Sequence, residues 1–79
     1  MSTLEKYQHA FIEVLDVNTD QLNDALVYNS VPQWDSIGHM SLIAELEDAY
    51  DIVFETDDII DFSSYIKGKE ILQKYGVAV

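Results

Sequence analysis

The sequence predicts an all-α fold: a four-helix bundle of three main helices plus one short helix, with a long loop between helices one and two, in a single domain over residues 1-79. Three observations predict it. Apolar residues recur every three or four positions in separate stretches, as they do along one face of a helix. Capping residues stand at the ends of those stretches. The one β-prone run, Ile52 to Phe54, is too short and too isolated to found a sheet. A chain of 79 residues that is 48% hydrophobic has material for one core but not two, which excludes multidomain enzymes.

The elements follow in order. Ser2 with Glu5 has the capping-box form, in which hydroxyl and carboxylate each satisfy an unpaired backbone N–H at a helix start. Behind it Leu4, Tyr7, Phe11 and Val14, joined by Ile12 and Leu15, make the apolar stripe of helix one over roughly residues 3 to 15. From Asp16 to Asp35 the period fades, and Asn18, Asp20, Asn23, Asp24, Asn29, Ser30 and Pro32 supply the turn formers of a long connection. Within it Leu22, Leu26 and Val27 are spaced like a short helical turn, while Val31 and Trp34 are expected against the core. So long a loop in so small a domain is usually functional. Asp35 caps helix two, whose stripe of Ile37, Met40, Ile43, Leu46 and Tyr50 runs from about residue 36 to 50. Thr56 is the expected cap of a one-turn helix over Asp57 to Asp61, whose acids suit a helix N-terminus. Ser63 or Ser64 caps the last helix, which carries Tyr65, Ile66, Ile71, Leu72 and Tyr75, contains Gly68 and stops at Gly76.

Charge excludes several function classes. Fifteen acids face four lysines and no arginine, a formal net charge of -11. Such a chain has no means of neutralising nucleic-acid phosphates or an anionic membrane surface, and a basic protein partner is its natural complement. The lysines are Lys6, Lys67, Lys69 and Lys74, so residues 7 to 66 hold 13 of the 15 acids and no positive side chain. This field reads either as a solubilising surface or as a docking face. With no cysteine there is no disulfide framework, thiolate metal site or thiol nucleophile. The first eleven residues lack the pattern of a signal peptide, and no stretch approaches the length of a membrane span, so the expected compartment is the cytoplasm.

The strongest local feature is Trp34-Asp35-Ser36-Ile37, a serine where a long loop enters a helix. Unpaired N–H groups and the positive end of the helix dipole favour a phosphate there; equally, Ser36 is a tolerated first-turn residue beside an aspartate cap. A serine hydrolase lacks its parts: the only histidines are His9 and His39, both expected at the surface, and there is no Gly-x-Ser-x-Gly elbow. A calcium loop starting at Asp16 breaks at Gln21, where the turn needs glycine, and at Val27, where a bidentate glutamate belongs. Asp57-Asp58 and Glu47-Asp48 lack metal-ligand spacing.

Across Trp34-Asp35-Ser36-Ile37-Gly38-His39-Met40 and Leu42-Ile43-Ala44-Glu45-Leu46-Glu47-Asp48-Ala49-Tyr50, the sequence resembles the acyl carrier proteins, and the helix order extends the resemblance over nearly the whole chain. The resemblance implies a discrete, monomeric carrier and not an enzyme. Ser36 would bear 4'-phosphopantetheine, transferred from coenzyme A by a magnesium-dependent phosphopantetheinyl transferase. The cofactor's thiol, which the chain itself lacks, would hold acyl groups as thioesters for fatty-acid, polyketide or other specialised acyl-transfer pathways. Helix two would be the recognition helix: Asp35, Glu45, Glu47 and Asp48, with Asp51, Glu55, Asp57 and Asp58 beyond it, would meet basic patches on acyl-loading and acyl-transfer enzymes, and Ile37 and Met40 would make apolar contacts. Many fatty-acid carriers place acids where this chain has Gly38 and Ser41, and Gly38 could admit close approach of the pantetheine arm. Peptidyl carriers place a Gly-Gly-His/Asp-Ser pattern where this chain has Gln33-Trp34-Asp35-Ser36. A small acidic interaction module without a prosthetic group is the competing class.

Overall fold

A computed structural model describes residues 2–79, and in it every regular element is helical. Helix α1 (Thr3–Leu15) begins with the capping box, Ser2 Oγ accepting from Glu5 N–H and Glu5 Oε1 accepting from Ser2 N–H, each at 3.1 Å. It buries Tyr7, Ala10, Phe11 and Leu15, one face at spacings of three, one and four. Leu4, at the helix start, stays largely outside. Asp16 ends the helix in the left-handed region at φ 54°, a conformation in which Asx residues are the commonest after glycine.

The connection runs differently from its expected course. Its helical turn forms at Thr19–Gln21, where the Gln21 side chain accepts from Asn18 N–H, and not at Leu22 to Val27. Leu26 is buried, but Val27 lies extended and exposed, in an isolated antiparallel bridge to Ser64. Tyr28 N–H donates to the Ser63 carbonyl and Tyr65 N–H to the Leu26 carbonyl. Partners far along the chain satisfy this backbone, so the helical spacing of its side chains loses. Trp34 ends the loop fully buried and Val31 is half-buried.

Helix α2 (Ser36–Tyr50) runs antiparallel to α1, because Tyr50 Oη near its end donates to the Thr3 carbonyl at the start of α1 at 2.6 Å. Leu42, Ile43 and Leu46 form its buried face. After an αL cap at Asp51, Ile52 to Phe54 has no regular structure, its Ile52 N–H donating to the Glu47 carbonyl, with Phe54 buried. Helix α3 (Thr56–Asp61) has Glu55 as its N-cap, without a side-chain cap bond, so Thr56 lies inside the helix it was expected to cap. Helix α4 (Tyr65–Lys74) takes its cap from Ser64, which accepts from Lys67 N–H at 2.9 Å. Gly76 follows at φ 80°, where only glycine is unstrained.

Phe11 is the hub of the core, with edge contacts to Tyr7, Trp34 and Tyr65 and a stacked contact to Phe62. Aromatic pairs in these arrangements gain about 0.5 to 1.5 kcal/mol beyond their burial. Space for the cluster comes from Gly68: a Cβ there would overlap the Tyr7 hydroxyl and the Phe62 ring. The short α3 is fastened separately. Asp58, 4% exposed, accepts from Lys74 Nζ and Tyr75 Oη, and Tyr75 Oη accepts from Glu55 N–H. The Lys74 ammonium, with the Tyr75 hydroxyl, holds the Asp58 carboxyl below the usual carboxylate range, and Asp58 in turn raises Lys74.

Two outcomes follow. Gly68→Ala gains up to about 1 kcal/mol of helix propensity yet forces the aromatic cluster apart, so urea denaturation should show a net loss of roughly 1 to 3 kcal/mol. For Asp58, a depressed folded pKa means stability fully present above the unfolded value of about 3.9 and lost as pH falls through the lower folded value. For Lys74, a raised folded pKa means stability present below about 10.4 and lost as pH rises through the higher folded value. Asp58→Asn should therefore lower the neutral-pH Tm and make its fall into acid shallower, as read by circular dichroism; an unchanged acid limb would exclude this latch.

Candidate functional site

The site grows from the junction of the long loop with α2. Asp35 adopts extended backbone and its Oδ1 accepts from Gly38 N–H at 2.8 Å, the N-cap geometry that satisfies one orphan donor of the first turn. Ser36 is the first helical residue and is exposed, as is Ile37. The aspartate takes the Gly38 N–H and leaves those of Ser36 and Ile37, among the described residues, to solvent. A group on the Ser36 hydroxyl thus stands at the positive end of a fifteen-residue helix.

Gly38 has a use other than the expected one. A Cβ at this position would collide with the carbonyl oxygen of Gln33, so it is the chain's own loop that comes close, packed flat against the first turn of α2. That contact delivers Trp34 to the core directly ahead of the cap.

His39 departs from the surface position expected of it. It is half-buried, and its ring connects three segments: Trp34 Nε1–H donates to His39 Nδ1 at 2.9 Å, and His39 Nε2 lies 2.8 Å from the Ile59 carbonyl oxygen. An indole N–H can only donate and a carbonyl can only accept, so the imidazole is neutral with its proton on Nε2. Tyr28 and Phe62 pack edge-on against it, at centroid distances of 5.5 and 6.0 Å. His9, by contrast, stays on the surface beside Glu13.

Between α2 and α3 a groove of about 310 Å³ starts at Ser36. Met40, Ile59 and Ile60 form its apolar walls, with Ser63 and Tyr28 beside them and Phe62 at depth. Of the lining residues Met40 and Ile60 are 53 and 72% exposed, and Ile37, next to Ser36 in the chain, is 78% exposed, so three large apolar side chains stand in water near one serine. Ile37 and Met40 are expected outside from the sequence; Ile60 is not. Its signal was available: an Ile59-Ile60 pair on a single helical turn cannot turn both side chains inward.

The acids of α2 divide into two groups. Glu45 and Asp48 are exposed and stand in no ion pair among the described residues. Glu47 is half-buried and its Oε2 accepts from Phe54 N–H at 2.9 Å, which ties the end of α2 to the following segment. Asp35 is exposed but engaged as the cap, and Asp58, expected among the docking acids, is buried because Lys74 and Tyr75 close on its carboxylate. Among the described residues no three His, Asp or Glu side chains converge as metal ligands would, and no helix is long and apolar enough to cross a membrane.

Comparison of the chain with protein-family models, with curated proteins and with solved structures finds no match.

Asp35→Ala should cost about 1 kcal/mol, the usual value of a lost N-cap, with an unchanged urea m-value; a loss below about 0.3 kcal/mol would show that the cap bond does not hold the junction.

Proposed function

We propose that the protein is a discrete acyl carrier, modified on Ser36 with 4'-phosphopantetheine, that presents acyl groups to partner enzymes. One observation carries the reading: an exposed serine at the first turn of the longest helix, on the rim of an apolar groove and next to an acidic helix face. The residues present fit such a group. The Ser36 oxygen is open to a modifying enzyme, the neighbouring N–H groups favour a phosphodiester, and the groove begins where an arm attached to Ser36 would leave it. When bound, the group supplies a thiol that carries acyl chains as thioesters.

The chain's own residues then have separate tasks. Ser36 is a tether and performs no catalysis. Met40, Ile59 and Ile60 shelter apolar cargo, each buried methylene gaining about 0.8 kcal/mol. Glu45 and Asp48, with Asp51, Glu55 and Asp57 beyond them, attract basic partners such as the phosphopantetheinyl transferase and the acyl-loading and acyl-transfer enzymes. Single exposed ion pairs are worth roughly 0 to 1 kcal/mol, so they steer encounter without prolonging the complex, as a carrier that visits several enzymes requires. Ile37 and Met40 supply the apolar part of the contact. Exposed Ile37, Met40 and Ile60 would also serve an acidic interaction module without a prosthetic group, and one experiment separates the two.

Incubation of the protein with coenzyme A, magnesium and a phosphopantetheinyl transferase should add one phosphopantetheinyl group by intact mass, and Ser36→Ala should abolish the addition. No adduct with any of several transferases, or an adduct that survives Ser36→Ala, overturns the carrier reading in favour of the interaction module. In the same assay, Glu45→Lys with Asp48→Lys should slow labelling several-fold at low ionic strength, and the difference should vanish near 1 M salt, where the screening length is about 3 Å.

A further inference from the structure

The groove beside Ser36 has exposed residues at its rim, Met40 and Ile60, and two rings at its inner end, Phe62 and His39. Phe62 is held by the aromatic core. His39 is held by hydrogen bonds on both nitrogens, to the Trp34 indole on one side and the Ile59 carbonyl on the other. Its ring is nearly parallel to the indole, at 19° with centroids 6.2 Å apart, and Phe11 lies beyond at 5.6 Å from Trp34. The imidazole therefore separates the groove from the core. It cannot swing aside without leaving a fully buried indole N–H and a carbonyl of α3 unpaired.

We infer that His39 sets the depth of the groove and so the length of the straight apolar chain it accepts. The ring has the two properties such a stop requires: it fills the inner end, and it does not yield to an incoming chain. The same bond to Ile59 draws α3 against α2, so the walls and the stop are set by one side chain. The lining of Met40, Ile59, Ile60 and Phe62 is apolar, so the groove suits an occupant that is apolar along its length. The inference rests on the carrier reading for the nature of the occupant, a chain tethered at Ser36, and on geometry alone for the stop.

The test uses the unmodified full chain and straight-chain 1-alkanols of four to twelve carbons, each below its solubility, followed by NMR shifts of the Ile59 and Ile60 methyl groups. Affinity should rise about four-fold per methylene and level off when the chain reaches the imidazole. The imidazole ¹⁵N spectrum should show a protonated Nε2 and an unprotonated Nδ1, and the terminal methyl of the longest accommodated chain should give a nuclear Overhauser contact to the His39 ring. In His39→Ala the levelling point should move outward by about two carbons, the space a five-membered ring vacates. His39→Phe keeps a ring at the inner end while losing both hydrogen bonds that hold it, so its levelling point should fall between those of the wild type and His39→Ala. A purely structural role would shift neither variant's length profile. A folded His39→Ala with the wild-type profile, or a wild type whose affinity never levels off, overturns the inference. Should His39→Ala fail to fold, absence of the Overhauser contact in the wild type overturns it and its presence supports it. Since no transferase is involved, failure here leaves the labelling of Ser36 untouched, and failure of labelling leaves this length profile standing.

Discussion

A fully buried indole must find an acceptor for its N–H, because water is not there to provide one, and this requirement at Trp34 organises the molecule. After Trp34 the loop turns into α2, and the acceptor the indole meets is His39 on that helix's first turn, five residues on. Accepting on Nδ1 forces the imidazole proton to Nε2, and that proton reaches across to the Ile59 carbonyl of α3. One hydrogen-bond chain therefore joins the loop, the second helix and the third. Its other face is the aromatic cluster: Trp34 stands edge-on to Phe11, and Phe11 contacts residues of α4 and its approach. Ser36 lies between Trp34 and His39 in sequence, so its position is fixed by groups that are themselves locked from both sides.

The distribution of charge complements this arrangement. Self-repulsion in a protein of net charge -11 works against compactness, and among the described residues the one buried acid, Asp58, is neutralised where Lys74 and Tyr75 close on it. That latch ties the end of α4 to α3, the element with too few residues to hold itself. Apart from half-buried Glu47 the other acids remain exposed, most of them in the stretch without lysine that includes α2 and α3. Glu45 and Asp48 stand in no ion pair among the described residues, so the exposed side of α2 keeps a negative field.

Helix boundaries were legible because they are written in local interactions. Ser2 with Glu5, Asp35, Ser64 and Gly76 each act within four residues, and α1 and α2 begin and end where the capping and periodicity arguments put them. Where a segment takes its hydrogen bonds from far along the chain, the reading failed. Val27 looked helical by spacing and is extended because Ser63 and Tyr65 satisfy the backbone around it. Glu47 looked like one more surface acid and is a staple for Phe54 N–H. Glycine lowers helix propensity, yet Gly38 and Gly68 both stand in helices, because another group, the Gln33 carbonyl or the Tyr7 hydroxyl and Phe62 ring, occupies the volume of the missing side chain.

What the sequence by itself determined is the set of helices, the long acidic connection and the location of an open serine at a helix start, since all of these depend on periodicity, capping and charge within a few residues. The tertiary structure alone decided that His39 is a neutral bridge and not a surface histidine, and that Ile60 joins Ile37 and Met40 outside. It also decided that a groove opens between α2 and α3 at Ser36. The physical reason is range. A cap or an amphipathic stripe is satisfied by neighbours in the chain, whereas the role of a half-buried imidazole is set by whichever donor and acceptor the folded chain brings to its two nitrogens.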